Sequence, residues 1–119
     1  MRSPQRVLYL RLHDMLEAID RARAAAEQVD FETFAADWMR RLAAERTIEI
    51  ISEASRHVPD EFKNATLHIP WHQIAGIGNR LRHNYDRVET EIIWAIIQHD
   101  LMPLRDAILP MYEALKAKR

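Results

Sequence analysis

Cysteine is absent from the 119 residues, and glycine occurs only twice. Without cysteine there is no disulfide framework, no thiolate metal site and no cysteine nucleophile. Both glycines fall in one short stretch, Gly76 and Gly78, so the tight turns of a β-sheet protein have few residues to form them. Neither sign of charge is in excess. The 17 Lys and Arg against 18 Asp and Glu give a formal net charge of −1, which excludes a domain coated in basic charge for nonspecific nucleic-acid binding but not a local basic patch. No apolar run approaches the ~20 residues of a membrane span, and Met1 to Arg6 is short and polar, unlike a signal peptide. These absences predict a cytoplasmic protein with no membrane partner. With 48% hydrophobic residues the chain is too apolar for disorder, and its length suits one core, so residues 1–119 are expected to form a single domain.

The apolar spacing is helical. Ser3 is a good N-cap, and Pro4 follows at the first helical position, where its missing N–H costs nothing. Leu8, Leu12, Met15, Ile19, Ala22 and Ala26 then recur at steps of three and four, the stripe of a long first helix. Asp30 reads as the next N-cap. Phe34, Trp38, Leu42, Ala43, Thr47, Ile50, Ala54 and Val58 trace a second helix of roughly 25 residues, ended by Pro59. The stretch from Pro59 to Ile69 is a polar connector with at most one short helical turn. Pro70 opens a third helix with Trp71, Ile74, Ile77 and Leu81 on one face, and Asn84 to Glu89 reads as a break. Thr90 is positioned to cap a fourth helix through Ile92, Ile93, Ile96 and Ile97, with a kink or split expected near Pro103 and Pro110. The fold class is all-α: an antiparallel bundle of four to five helices with short connections.

The six histidines do not form a metal-binding pattern. No Glu-x-x-His pair of the di-iron type occurs. Glu49, Glu53 and His57 share a helical face at four-residue steps, which reads as a solvated flank pairing with Arg46 and Arg56. His68 and His72 straddle Pro70, so one continuous helix cannot present both to one ion. A phosphate loop and a Gly-x-Ser-x-Gly elbow are missing as well. Neither a metal nor a cofactor is expected.

One segment is unusual: Gly76-Ile77-Gly78-Asn79-Arg80-Leu81-Arg82-His83-Asn84-Tyr85-Asp86-Arg87. On a helix Asn79, Arg82, His83 and Asp86 share a side, while Leu81 turns inward with Ile77 and Ile74. One reading is a cationic cap on the third helix, favoured by the helix dipole. The other is phosphate chemistry. Arginine offers a permanently charged planar fork that matches a phosphate, and histidine titrates near neutrality and can move a proton. His83 could take the proton from a ribose 2′-hydroxyl while an arginine stabilises the charge on the phosphorane. Such a reaction leaves a 2′,3′-cyclic phosphate and requires RNA.

With these residues in view the chain resembles the HEPN superfamily, and within it the HepT-like ribonuclease toxins. The resemblance rests on Pro70, Trp71, Ile74, Gly76, Asn79, His83, Tyr85, Val88, Trp94, Asp100, Leu101, Pro103 and Leu104, with Asp14 to Ile19 and Glu49 to Ala54 matching the first two helices. It implies a HEPN-like homodimer whose two motifs face one cleft. It also implies a metal-independent endoribonuclease toxin of a type VII-like toxin–antitoxin pair, restrained by a MntA-like nucleotidyltransferase antitoxin that transfers AMP to Tyr85. By the same resemblance His83, Arg82, Arg80 and Asn79 are catalytic, and Arg87 and Tyr85 bind the RNA substrate. Trp71, Trp94 and Tyr85 could stack bases, although core packing is the commoner use of tryptophan.

The chain departs from the family pattern at one position. The family signature is an arginine, four to six residues, then histidine, and the positions leaving that gap before His83 are Gly78, Ile77 and Gly76. Glycine stands at 78, where the motif arginine would sit. Either Arg80 or Arg82 takes over the phosphate role, or the chain is a catalytically impaired HEPN module that binds a nucleotide or its partner.

Overall fold

The computed structural model describes residues 3–81 and 87–118, with the backbone alone at 87 and 88. The order is α1 Pro4–Ala25, α2 Phe31–Ala36, α3 Trp38–Ser55, α4 Asp60–Ala65, α5 Trp71–Leu81, α6 Arg87–Ala95, a π-helical turn Ile96–Asp100 and α7 Leu101–Ala117. Among the described residues there is no strand. The protein is an all-α bundle, as its composition predicts.

Side chains at the helix starts account for the boundaries. The Ser3 hydroxyl accepts from Arg6 N at 3.1 Å and begins α1. The Asp30 carboxylate accepts from Thr33 N at 2.8 Å and begins α2, and this backbone donor holds the Asp30 carboxyl below its usual range. Asp37 accounts for a difference from the sequence reading, which ran one helix from the Asp30 cap to Val58. Its backbone is extended (φ −97°, ψ 98°), and its Oδ1 accepts from Met39 N and Arg40 N at 3.1 and 3.2 Å. A non-helical residue there resets the phase, so Phe34 and Trp38 no longer share a face. Phe34 is fully buried, whereas Trp38 and Leu42 are 61% and 54% exposed. Residues Ala44, Thr47, Ile48, Ile51 and Ser52 form the inward side of α3 instead.

The C-terminal rod is neither split nor started at Thr90. Helix α6 already runs from Arg87, and Thr90 is buried within it rather than free to cap. The residues flanking the π turn, Ala95 and Leu101, keep right-handed helical backbone, so residues 87–117 form one continuous rod. Pro103 follows the π turn closely. Proline cannot donate to the carbonyl four residues back, and its ring crowds that carbonyl in a regular α-helix; the widened turn stands where that conflict would fall. Pro110 lies inside α7 without ending it.

Helix α1 packs on α3 and α7, and α3 packs on α5. Neighbours run antiparallel: Arg40 at the start of α3 donates to Ala25 O at the end of α1, while Arg105 meets Asp20 and Tyr112 meets Tyr9 along α7 and α1. Leu12, Met15, Ile19, Phe34 and Ile108 are completely buried at the centre of one core that every long helix enters, each such side chain contributing about 1.5–3 kcal/mol. Two tryptophans belong to this core. Trp71 donates through Nε1 to Thr66 Oγ1 at 3.0 Å with its ring edge-on to Phe62, and Trp94 packs on Phe31 and Phe34.

Asp37→Ala removes the acceptor for two amides at the start of α3, and urea denaturation should show a loss of about 1 kcal/mol. An unchanged midpoint would mean the break at this residue does not depend on its carboxylate.

Candidate functional site

The last turns of α5 carry the segment singled out in the sequence. Asn79 and Arg80 are exposed and Leu81 is buried, as the helical reading requires. Arg82, His83 and Tyr85 lie outside the described residues, and at Arg87 the backbone alone is described, as the first residue of α6. The structure therefore brings together only the Asn79 and Arg80 part of the expected set.

Two concave regions flank α5. On one side Arg80, Gly76 and His72, at four-residue steps, edge a groove of about 590 Å³ whose far wall is Ile92, Ile96 and Asp100 of the C-terminal rod. On the other side α5 crosses α3, with Gly78 buried in the contact. A Cβ at 78 would stand 3.2 Å from Ser52 Oγ and 3.5 Å from Ser52 Cβ, so a side chain there would push the two helices apart or displace the serine. At Gly76 a Cβ would meet nothing within 4 Å. The two glycines therefore differ: one sits at a close helix crossing and the other on an open face.

Ser52 is the hub of the crossing. It is 2% exposed; its hydroxyl donates to Ala75 O at 2.9 Å and accepts from Gly78 N at 3.2 Å. Arg56 Nη2 donates to the same Ala75 carbonyl at 2.9 Å. Beside Gly78 a small polar pocket of about 170 Å³ opens, lined by Arg46, Glu49, Ser52, Glu53, Arg56 and Gly78. The pairs expected along this flank are present: Arg46–Glu49 at 3.8 Å, Arg56–Glu53 at 3.5 Å and His57–Glu53 at 3.9 Å. Such exposed pairs contribute ~1 kcal/mol or less. One turn earlier, partial burial raises the Glu45 carboxyl above its usual range, with Glu49 adding to the shift and Arg41 opposing it. Among the described residues no three His, Asp or Glu side chains gather to hold a metal ion.

The all-α fold agrees with a family-level match. The model of a family described as ribonuclease HepT-like matches residues 15–111. The chain belongs to the HepT-like ribonuclease family. It is 33% identical over 94 residues to a Thermococcus cleftensis protein named probable ribonuclease HepT, covering 79% of this chain and 86% of the relative. A protein of Caldanaerobacter subterraneus subsp. tengcongensis bearing an RNase name is 32% identical over 108 residues, or 91% and 93% of the two chains. An RNase-named protein of Methanocaldococcus jannaschii is 29% identical over 97 residues, or 82% and 89%. No solved structure matches the chain.

In this HepT-like chain the position of the departure from the motif is thus a packing position as well. Sequence reasoning treated Gly78 only as a missing arginine and treated Arg46 and Arg56 only as a solvated flank. It missed Ser52. The available signal was the pairing of a serine on the inward side of one amphipathic helix with glycine on the inward face of another, a combination that permits close approach, although the partner helix cannot be read from spacing.

Ser52→Ala and Gly78→Ala should couple. In the wild-type background the added methyl at 78 meets the serine hydroxyl, and in Ser52→Ala that obstruction is gone. A double-mutant cycle by urea denaturation should therefore give an interaction of about 0.5–1 kcal/mol, with Gly78→Ala better tolerated beside alanine. Additive effects would show that the crossing is not limited by this contact.

Proposed function

We propose that this chain is the endoribonuclease toxin of a type VII-like toxin–antitoxin pair, cutting RNA without a metal ion. The observation that carries this reading is membership of the HepT-like ribonuclease family with His83 and Tyr85 retained in their motif order behind Asn79. His83 accepts the proton of a ribose 2′-hydroxyl, the 2′ oxygen attacks phosphorus, and the 5′ oxygen leaves with a proton returned by the imidazolium. Arg80 or Arg82 stabilises the phosphorane, Asn79 lies in the same catalytic set, and Arg87 holds the flanking RNA. Two copies facing one cleft concentrate cationic groups that a single near-neutral chain does not.

A MntA-like nucleotidyltransferase is the partner, and Tyr85 is the acceptor of AMP from ATP. The added phosphate is an anion that competes for the arginines and blocks entry of RNA. The pair acts in the cytoplasm, and the toxin needs no cofactor of its own.

A second reading has a specific observation behind it. Gly78 is buried against Ser52, so the motif arginine is not merely absent; its position is used for helix packing. A non-catalytic HEPN module that binds a nucleotide or the nucleotidyltransferase fits that fact.

Incubation of the purified protein with RNA in EDTA separates the readings. Wild type should cleave, and His83→Ala should lose at least 10²-fold of the rate. Equal cleavage by both proteins would remove His83 as the catalyst, and no cleavage by either would favour the binding module.

With the antitoxin and ATP, intact-mass measurement should show whole adenylyl increments on wild type and none on Tyr85→Phe. Increments that survive the substitution would place the modification elsewhere.

A further inference from the structure

The outer face of α3 holds a set of residues that neither the core nor the expected catalytic group uses. Trp38, Leu42, Arg46, Glu49, Glu53 and Arg56 lie within about 80° of one another around the helix, and this face runs past Gly78. Arg56 is engaged with the Ala75 carbonyl and Glu53, so it closes one wall of the pocket. Arg46 is 72% exposed, and its contact with Glu49 is a loose 3.8 Å, a pair that a phosphate, with its matching geometry for the guanidinium fork, displaces readily. Arg46 lines the small pocket that opens beside Gly78.

Trp38 is the second observation. Unlike Trp71 and Trp94, it is solvent-facing, 61% exposed with Leu42 beside it at 54%. It lies two turns from Arg46, about 12 Å along the axis and within the reach of a few nucleotides. An exposed indole in line with an available guanidinium is the pairing by which proteins hold single strands, one group stacking a base and the other taking a phosphate. A free anion would use the arginine and ignore the indole.

We propose that the outer face of α3 is a single-stranded RNA track, in which Arg46 binds a phosphodiester in the pocket beside Gly78 and Trp38 stacks a base. Arg46 thereby supplies a guanidinium from α3 to the pocket beside Gly78. The assignment of RNA rests on the ribonuclease reading; the track itself does not need cleavage to be detected.

The test uses the full chain with a fluorescein-labelled single-stranded RNA and its all-deoxy counterpart, which the proposed reaction cannot cut, titrated by anisotropy across a salt series. Thermal midpoints check folding, and both residues are exposed. Arg46→Ala should weaken binding about tenfold and reduce the slope of log affinity against log salt by about 0.7, the value for one single-strand phosphate. Arg46→Lys should recover the slope but not the full affinity. Glu49→Gln should tighten binding, because it removes a carboxylate that competes for the arginine. Trp38→Ala should weaken binding about tenfold with the salt slope unchanged, and Trp38→Phe should retain most of it.

Wild-type affinity and slope in Arg46→Ala overturn the phosphate assignment. Unaltered binding in Trp38→Ala, joined to a change in sedimentation, assigns the indole to contact between copies and overturns the track. No binding of either oligomer by wild type also overturns it. If wild type cleaves RNA and Arg46→Ala cleaves and binds equally well, the ribonuclease reading stands and this inference fails. If nothing is cleaved but binding depends on Arg46 and Trp38, the track stands and the ribonuclease reading fails.

Discussion

The close approach of α3 and α5 governs the rest of the molecule. The contact depends on two small residues, Ser52 and Gly78, and on a hydroxyl that links the two backbones by donating to one α5 carbonyl while accepting from an α5 amide. A buried polar bridge of this kind fixes register as well as distance, because a shift of either helix would leave the buried hydroxyl without its partners. The orientation of the last turns of α5, where Asn79 and Arg80 reach solvent, follows from it.

The same constraint shapes the electrostatics. A chain with a formal net charge of −1 has no long-range field to gather a polyanion, so any affinity for nucleic acid must come from local arrangement. The outer face of α3 provides one by alternating arginine and glutamate around a small pocket. Each arginine has an acidic neighbour, and Arg56 is held as well by the Ala75 carbonyl, which leaves Arg46 the more available of the two. On the proposed track such an arrangement would disfavour adventitious anions and reward a strand that engages several points together, a form of specificity built from competition rather than from net charge.

How much of this was legible in the sequence varied with the physics involved. The first helix was readable because its stripe of Leu12, Met15 and Ile19 repeats without interruption and Ser3 with Pro4 marks its start. The all-α class followed from the scarcity of turn-forming residues together with that periodicity. The break at Asp37 was not readable, because Phe34, Trp38 and Leu42 keep helical spacing across it; an aspartate can cap or sit on a helix surface, and only the extended backbone decides. That the C-terminal rod runs on without a split was not readable for the opposite reason. Proline is normally a breaker, and the π turn that relieves Pro103 has no sequence signature of its own. The family motif was visible residue by residue, but its setting was not, since Ser52 and Gly78 are 26 residues apart and their contact is a property of the packed bundle.

The two ends of the helical sequence meet in space. Tyr9 and Tyr112, 103 positions apart, stack at 5.0 Å with hydroxyls 3.3 Å from each other, and His13 closes the cluster on Tyr112. Helix α1 therefore has one flank covered by α7, a helix far from it along the chain. A nascent chain cannot complete its hydrophobic centre while α7 is still in the exit tunnel, and a product that stops before Leu101 stays open along that flank.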